Sequence, residues 1–480
     1  MMRHFGFMGE FWCSMARSLL KRISSIFSKG SAVHAGQSAS AQTETGLRII
    51  PESEHQIQRK YLDDNAMKVV YRIIDGGYDG YLVGGCIRDL LQGEKPKDFD
   101  VATSASPEEA HELFRRSRLI GRRFKLLHVR FGRDLIEVAT FRASHDSHPK
   151  NSDGEHGRQN ESGMITRDNV YGTIEEDAAR RDFTVNALYY CVKDHSIHDF
   201  ANGYQDIQDG IIRMIGEPDA RYREDPVRML RAARFAGKLG FQIEPATAAP
   251  IRELAPLLKD IAAARLFDES LKLLQSGYAE AAYEHLQHYS LFEPLFPQTQ
   301  KALDGEQGEL VETLIMNALR NTDRRLSQRK SVTPAFLFAA LLWYPVQQRM
   351  QQLIKEQRMP PLPALHEAAN QVLSQQVKST AIPRRFSTPI REIWEMQIRL
   401  PRRDGKRAQR LMEQPRFRAA YDLLLLRENS GEDLGGLSRW WTEYQSANED
   451  KRGTMSRESG NGQKPRRRRR KKPNNASRDE

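Results

Sequence analysis

Near residue 215 the sequence changes its period. From Asp225 to the mid-440s apolar residues recur at helical spacing, in segments parted by Pro245, Gly277, Pro294, Pro334, Pro383 and Pro401. Ahead of that point strand-like and helix-like runs alternate. Gly80–Val83, 98–102, Leu126–Phe131, 135–141 and 188–192 read as strands, and 65–74 and 86–91 as helices. Ser106, Pro107 and Glu109 write the N-cap, first-turn proline and capping box of one more helix. A chain patterned this way is expected to be α+β: a sheet-built head followed by helical domains.

The formal charge of +11 sits at the two ends. Residues 451–480 hold 12 Lys and Arg against 3 Asp and Glu, and residues 1–50 hold 6 against 2, so the middle is slightly acidic. Polyanion affinity read from the charge is thus mostly a property of the tails. The arginine-rich end, low in aromatics, is expected to be disordered, and residues 30–60 read as linker. "MARSLLKRISSIF", 15–27, puts Met15, Leu19, Ile23, Ile26 and Phe27 on one helical face, with Lys21 and Arg22 elsewhere. That suits a basic anchor on a membrane surface, a transit peptide or an unstructured leader, with Met15 as a second candidate start. Cys13, Cys86 and Cys191 are few, odd in number and far apart, which points to a reducing compartment. Residues 143–170 read as a mobile loop, and His145, His148 and His156 within it lack metal-ligand spacing.

The chemistry concentrates in "YLVGGCIRDLLQGEKPKDFDVAT", 81–103. On a strand, Asp98 and Asp100 project to the same side. Paired carboxylates repel unless a cation lies between them, and hard oxygen ligands suit Mg²⁺ shared with a substrate's phosphates. Gly84 and Gly85, between a strand and a helix, offer bare amides to a phosphate, and Arg88 adds a charged donor one turn on. Glycine turn, arginine and paired acids together fit a nucleoside triphosphate with its metals.

"LVGGCIRDLLQGEKPKDFDVAT", "RRDFTVNALYY" and "EDPVRMLRAARF" resemble the class II nucleotidyltransferases, which comprise the CCA-adding tRNA enzymes and the bacterial poly(A) polymerases. The similarity runs from about residue 60 to at least 275. It implies a polymerase-β-like palm at 61–215, a helical neck at 216–280 that binds the base and RNA, and a helical RNA-binding body at 281–450. These lie between a basic leader and linker, 1–60, and the basic tail, 451–480. By the same resemblance Asp98 and Asp100 are metal carboxylates and Asp182 the third acidic residue, with Glu137 on a neighbouring strand as the alternative. Gly85 and Arg88 match triphosphate contacts, and Arg181 a further nucleotide contact. Cys86 replaces a smaller residue and is expected to pack.

In "EDPVRMLRAARF" the resemblance makes Asp225 and Arg228 an amino-acid template for the incoming base, and Arg231 shares a helical face with Arg228. Adenine pairs an amino donor with a ring-nitrogen acceptor, so a carboxylate and a guanidinium can read it; cytosine offers the same order. The pair excludes uracil and guanine without separating an A-adder from a C-and-A-adder. "LIGRRFKLLHV", 119–129, "TPAFLFAALLWYP", 333–345, and the arginine-rich end resemble the poly(A) branch. The activity this implies is untemplated addition of AMP from ATP to RNA 3′ ends with pyrophosphate release, by a cytoplasmic monomer that could also sit at the inner membrane. Arg384, Arg385, Arg402, Arg403, Lys406 and Arg407 are candidate RNA backbone contacts. CCA addition to tRNA and an inactive RNA-binding scaffold are the competing readings.

Overall fold

A computed structural model describes residues 46–121, 125–143, 157–159, 165–168 and 170–461, and the part of the chain from Gly46 onward forms one compact unit. Ten strands belong to the head: β1 (Arg48–Ile50), β2 (Gly80–Val83), β3 (Asp100–Thr103), β4 (Ser117–Ile120), β5 (Leu126–Phe131), β6 (Asp134–Thr140), β7 (Gly157–Gln159), β8 (Ile165–Asp168), β9 (Leu188–Cys191) and β10 (Ile197–Asp199). Eight of them make one sheet in the order β1-β10-β9-β2-β3-β6-β5-β4, antiparallel throughout except where β3 runs parallel to β6.

Alternation along each strand sorts the side chains onto two faces. Leu82, Val101, Leu127, Val129, Val138 and Tyr190 are buried in one apolar cluster with Val70 and Ile73 of α1 (Asp64–Asp75) and Ala110. Helix α2 (Gly85–Leu91) follows β2, and Ala110 lies on α3 (Pro107–Leu113), which carries the predicted capping box between Ser106 and Glu109. On the opposite face Val83, Ala102, Phe141 and Tyr189 pack with Ala178 of α4 (Ile174–Ala179). One register row crosses this second face from edge to edge: Ile49, His198, Tyr189, Val83, Asp100, Glu137, His128 and Arg118.

Beyond the sheet come α5 (Gly203–Asp209), α6 (Pro218–Glu224) and α7 (Val227–Leu239), with Ile211–Ile212 and Gln242–Ile243 paired as a short parallel ribbon, then helices to Asn461. A single buried cluster runs from Phe183 and Val185 at the sheet's end through Leu230, Phe338 and Trp394 to Met455. Among the described residues no helix is long and apolar enough to cross a membrane.

The fold corrects four expectations. Residues 48–60 are not linker: β1 pairs with β10, and Ile50 and Ile57 are buried. The basic tail begins as a helix, Glu449–Asn461, anchored by Met455 and Ser456 and by Arg452 donating to the Tyr444 carbonyl, while the leader to Thr45 and the arginine run lie outside the described residues. Parts of 143–170 pair as the hairpin β7-β8, and main-chain bonds between Ala143 and Val170 and between Gly172 and Phe141 close its base. The strand expected at 98–102 starts at Asp100.

Asp199, at the end of β10, accepts from the amides of Ala201, Gly203 and Tyr204 and so starts α5. There Gly203 lies so close to the Thr184 carbonyl that a Cβ would fall inside contact distance of backbone atoms. Gly203→Ala is expected to cost about 2–4 kcal/mol by displacing the Thr184–Asn186 turn. Gly210→Ala, where a Cβ meets only an ordinary contact but φ is 68°, should cost about 1 kcal/mol. Denaturant unfolding of both variants checks the difference.

Candidate active site

Asp98 lies just ahead of β3 and Asp100 is its first residue; both are exposed, and Phe99 between them turns into the core. The carboxylates therefore leave the chain on one side, as alternation requires. Glu137 stands opposite Asp100 on β6, and the Nε2 of His128 lies 3.2 Å from the Glu137 carboxylate. Desolvation, then the Glu137 and Asp98 charges, push Asp100 up to about 6 against the pull of Arg181. Extra negative charge of this kind is what a hard cation relieves. Among the described residues no three His, Cys, Asp or Glu side chains converge as a closed metal cage does. Open oxygen donors still fit an ion completed by water and substrate phosphate.

Gly84 has φ 80° and ψ −131°, a conformation glycine alone adopts without strain. It delivers the chain from β2 into α2. A Cβ there would lie 3.5 Å from Arg181 Nη1, and one on Gly85 3.5 Å from Arg88 Nη2, so two guanidiniums flank the bare turn. Both are already braced. Arg88 is buried at 3% exposure and donates to Asp89 at 2.6 and 2.9 Å and to Asn186 at 2.5 Å. Arg181 donates to Asp177 and Tyr189, which hold it charged against the penalty of burial. The Tyr189 hydroxyl donates to the same Asp177 oxygen at 2.6 Å. Cys86 packs as expected: it is buried, its thiol donates to the Val83 carbonyl, and burial pushes its pKa up to about 12.

Asp182 faces the helices. One oxygen accepts from the Phe183 amide and Asn186, and the other receives Arg231 of α7 at 2.6 and 2.5 Å. Burial opposes ionisation, but Arg231, Asn186 and the Phe183 amide bring the carboxyl down to about 2. Asp89 makes a second link, receiving Lys238 of α7 at 2.9 Å, and Arg221 of α6 a third, donating to the carbonyls of Arg180 and Arg181 at 2.6 and 2.8 Å.

Asp225, extended between α6 and α7, receives a two-pronged contact from Arg265 at 2.8 and 2.6 Å. Arg228 donates to Glu224 at 3.2 Å. Sequence reasoning missed Arg265: it lies 40 residues from its partner, inside an ordinary helix, Ala263–Leu274, and nothing local marks it. Burial followed by repulsion from other arginines lowers Arg180 to about 9 and Arg221 and Arg234 to about 10.

The Poly A polymerase head domain family matches residues 80–213, the "Probable RNA and SrmB- binding site of polymerase A" family 240–303, and the Polymerase A arginine-rich C-terminus family 357–474. Poly(A) polymerase I of Salmonella typhimurium is 48% identical over 454 residues, 94% of this chain and 97% of that protein. The chain belongs to the poly(A) polymerase I family. It is a template-independent polynucleotide adenylyltransferase. Tailing enzymes of tRNA are more distant: the CC-adding tRNA nucleotidyltransferase of Halalkalibacterium halodurans is 36% identical over 48% of this chain and 53% of that one. The fold is shared with the Thermotoga maritima CCA-adding enzyme complexed with tRNA, at TM-score 0.52 and 20% identity over 83% of this chain and 86% of that chain.

The arginines expected to meet RNA fall in two places in this family member. Arg384 and Arg385 open the helix Arg384–Arg399, whereas Arg402, Arg403, Lys406 and Arg407 follow its end, about 24 Å away at 1.5 Å per residue. Arg403 lies over the Trp440 ring and Arg407 pairs with Asp404; Arg384, Arg385, Arg402 and Lys406 are exposed.

The displacement of Asp182 from 3.8 to about 2 corresponds to about 2 kcal/mol of stability. Because the folded value is the lower one, this contribution is present above pH ~4 and lost as pH falls toward 2. Asp182→Asn should therefore lower unfolding free energy by about 2 kcal/mol at pH 7 and flatten its pH dependence below ~4, measured by denaturant titration.

Proposed function

We propose that Asp98, Asp100 and Glu137 form the acidic centre of AMP transfer from ATP to an RNA 3′ end, with Mg²⁺ as the bound ion. The register of Glu137 beside Asp100, and the mutual charge repulsion it produces, carries this reading. Divalent ions serve this enzyme family, and the exposed oxygens of Asp98 and Asp100 would hold them. A bound ion supplies Lewis acidity to the transferred phosphoryl group. The third place goes to Glu137 because both oxygens of Asp182 are engaged by Phe183, Asn186 and Arg231.

In the transfer, the RNA 3′ oxygen bonds to the α-phosphorus of ATP, the bond to the β-phosphate bridge breaks, and pyrophosphate leaves. Gly84 and Gly85 leave room for the triphosphate. Arg181, whose guanidinium flanks the bare turn, holds it. Arg88 supports the turn from behind through Asn186. Asp225 accepts from the adenine amino group and Arg228 donates to the ring nitrogen, each fixed beforehand by Arg265 and Glu224. Arg231 positions Asp182 and so the neck, and exposed Arg384, Arg385, Arg402 and Lys406 take RNA phosphates. The two free thiols described, Cys86 and Cys191, support a cytoplasmic site of action. The enzyme would work as a monomer, with residues 15–27 as its contact with the membrane surface.

Asp98→Ala and Asp100→Ala should each abolish AMP incorporation without lowering unfolding midpoints, and Glu137→Gln should lower kcat and raise the Mg²⁺ needed for half-maximal rate. Asp182→Asn should leave that Mg²⁺ requirement alone. A shifted requirement in Asp182→Asn with none in Glu137→Gln would reverse the assignment.

Arg265→Ala frees the Asp225 carboxylate to rotate. Loss of one aligned hydrogen bond corresponds to about 1.4 kcal/mol, so kcat/KM for ATP should fall about tenfold while UTP and GTP stay poor substrates and KM for RNA is unchanged. Single-nucleotide incorporation with each triphosphate measures it.

A further inference from the structure

The row of side chains that passes through Asp100 and Glu137 continues to His128 on β5 and Arg118 on the edge strand β4. At strand spacings of about 4.8 Å, Arg118 stands roughly 14 Å from Asp100 on the same face. Arg130 lies two residues beyond His128 and so on that face; its amide bonds to the Arg116 carbonyl, and Arg116 is two residues from Arg118. The three arginines are exposed and, with His128 and Leu135, line a cleft of about 580 Å³. Neither a hydrogen bond nor an ion pair engages any of the three guanidiniums among the described residues, although most arginines nearer the carboxylates are paired. Sign therefore reverses along one face, from carboxylates at its middle to unneutralised guanidiniums at its edge.

We propose that this cleft binds backbone phosphates of the RNA strand a few nucleotides behind its 3′ end. The inference rests on the AMP-transfer reading above. An RNA end has the matching polarity, with a hydroxyl to present at the acidic centre and phosphates trailing from it. The triphosphate has its own side: Gly84 follows Val83 and Arg181 lies over Tyr189, the row positions on the other flank of Asp100. ATP and RNA thus approach the carboxylates from opposite directions along one row. Backbone contacts of this kind are blind to sequence, as untemplated tailing of varied ends requires.

The test uses the full-length enzyme with Arg116→Ala, Arg118→Ala and Arg130→Ala combined, all on an exposed edge. Binding of a long single-stranded oligoadenylate is followed across a salt series, and extension of that RNA and of a dinucleotide primer is timed at saturating ATP. Three lost contacts at about 0.7 each predict a slope of log K against log salt shallower by about 2, with affinity near 0.1 M salt at least tenfold weaker. KM for the long RNA should rise correspondingly, while KM for ATP, inhibition by pyrophosphate and extension of the dinucleotide, too short to reach the cleft, stay as in the wild type. An unchanged slope overturns the proposal, whether or not the wild type incorporates AMP. So does an equal loss on both primers, or weaker pyrophosphate inhibition without weaker RNA binding, which would make the cleft a site for free phosphates. A wild type that binds RNA through the cleft yet transfers no AMP would instead overturn the reading of the carboxylates.

Discussion

The ion pair between Asp182 and Arg231 joins the sheet-built head to the helices that follow it. Carboxylates and glycine turn belong to the sheet; Asp225, Arg228 and Arg265 lie among the helices. Asp182 precedes β9 in the chain yet faces the helices, and Phe183 and Val185 beside it are already part of the helical core. The pair is neither fully exposed nor fully buried, with side-chain exposures of 10% and 31%. It is worth more than a surface salt bridge and avoids the full desolvation cost of a deep one. Lys238 on Asp89 acts in parallel, so rotation of α7 against the head would break two contacts together, while Arg221 holds α6 through the carbonyls of Arg180 and Arg181.

With that relation fixed, charge is distributed by strand. Asp100 and Glu137 occupy the two strands that run parallel, in register, which brings their carboxylates side by side without a turn between them. Arginines flank this centre on both sides. Toward β9 they are braced by Asp177, Tyr189 and Asn186 and lie close to the glycine turn. Toward β4 they are solvated and, among the described residues, unpaired. Braced guanidiniums give geometric selection of a compact triphosphate, since little reorganisation accompanies binding. Solvated ones suit a flexible polyanion whose phosphates need no single position.

Much of the head was legible in the sequence because its signals are local. The spacing of Asp98 and Asp100, the Gly84-Gly85 turn and the Ser106 capping box each act within a few residues. What stayed hidden depends on long-range pairing. Glu137 meets Asp100 through a parallel pairing that no hairpin announces, so its place beside Asp100 could not be read from the sequence. Arg88 and Arg231 were expected to meet the nucleotide from motif and helical face, and each also meets a carboxylate of the protein itself, which no local signal announced. Strand β1 has three residues and is held by the partner it finds about 150 residues on, and the helix Glu449–Asn461 is polar enough that Met455 alone does much to anchor it. In such segments tertiary contacts outweigh intrinsic pattern.

On the reading proposed above, the edge formed by Asp225 and Arg228 would accept adenine and cytosine alike, so choosing between them would be a matter of how firmly that edge is held. A loose edge can tilt to follow the smaller pyrimidine ring; a rigid one leaves a gap where the purine would reach. Here Arg265 grips both oxygens of Asp225, Glu224 holds Arg228, and Asp182 and Asp89 clamp α7 to the sheet. Each restraint would remove a motion that cytosine needs while lying outside the proposed reading pair. Selectivity for one nucleotide can then arise from residues that never contact it, with the chemical identity of the reading pair left unchanged.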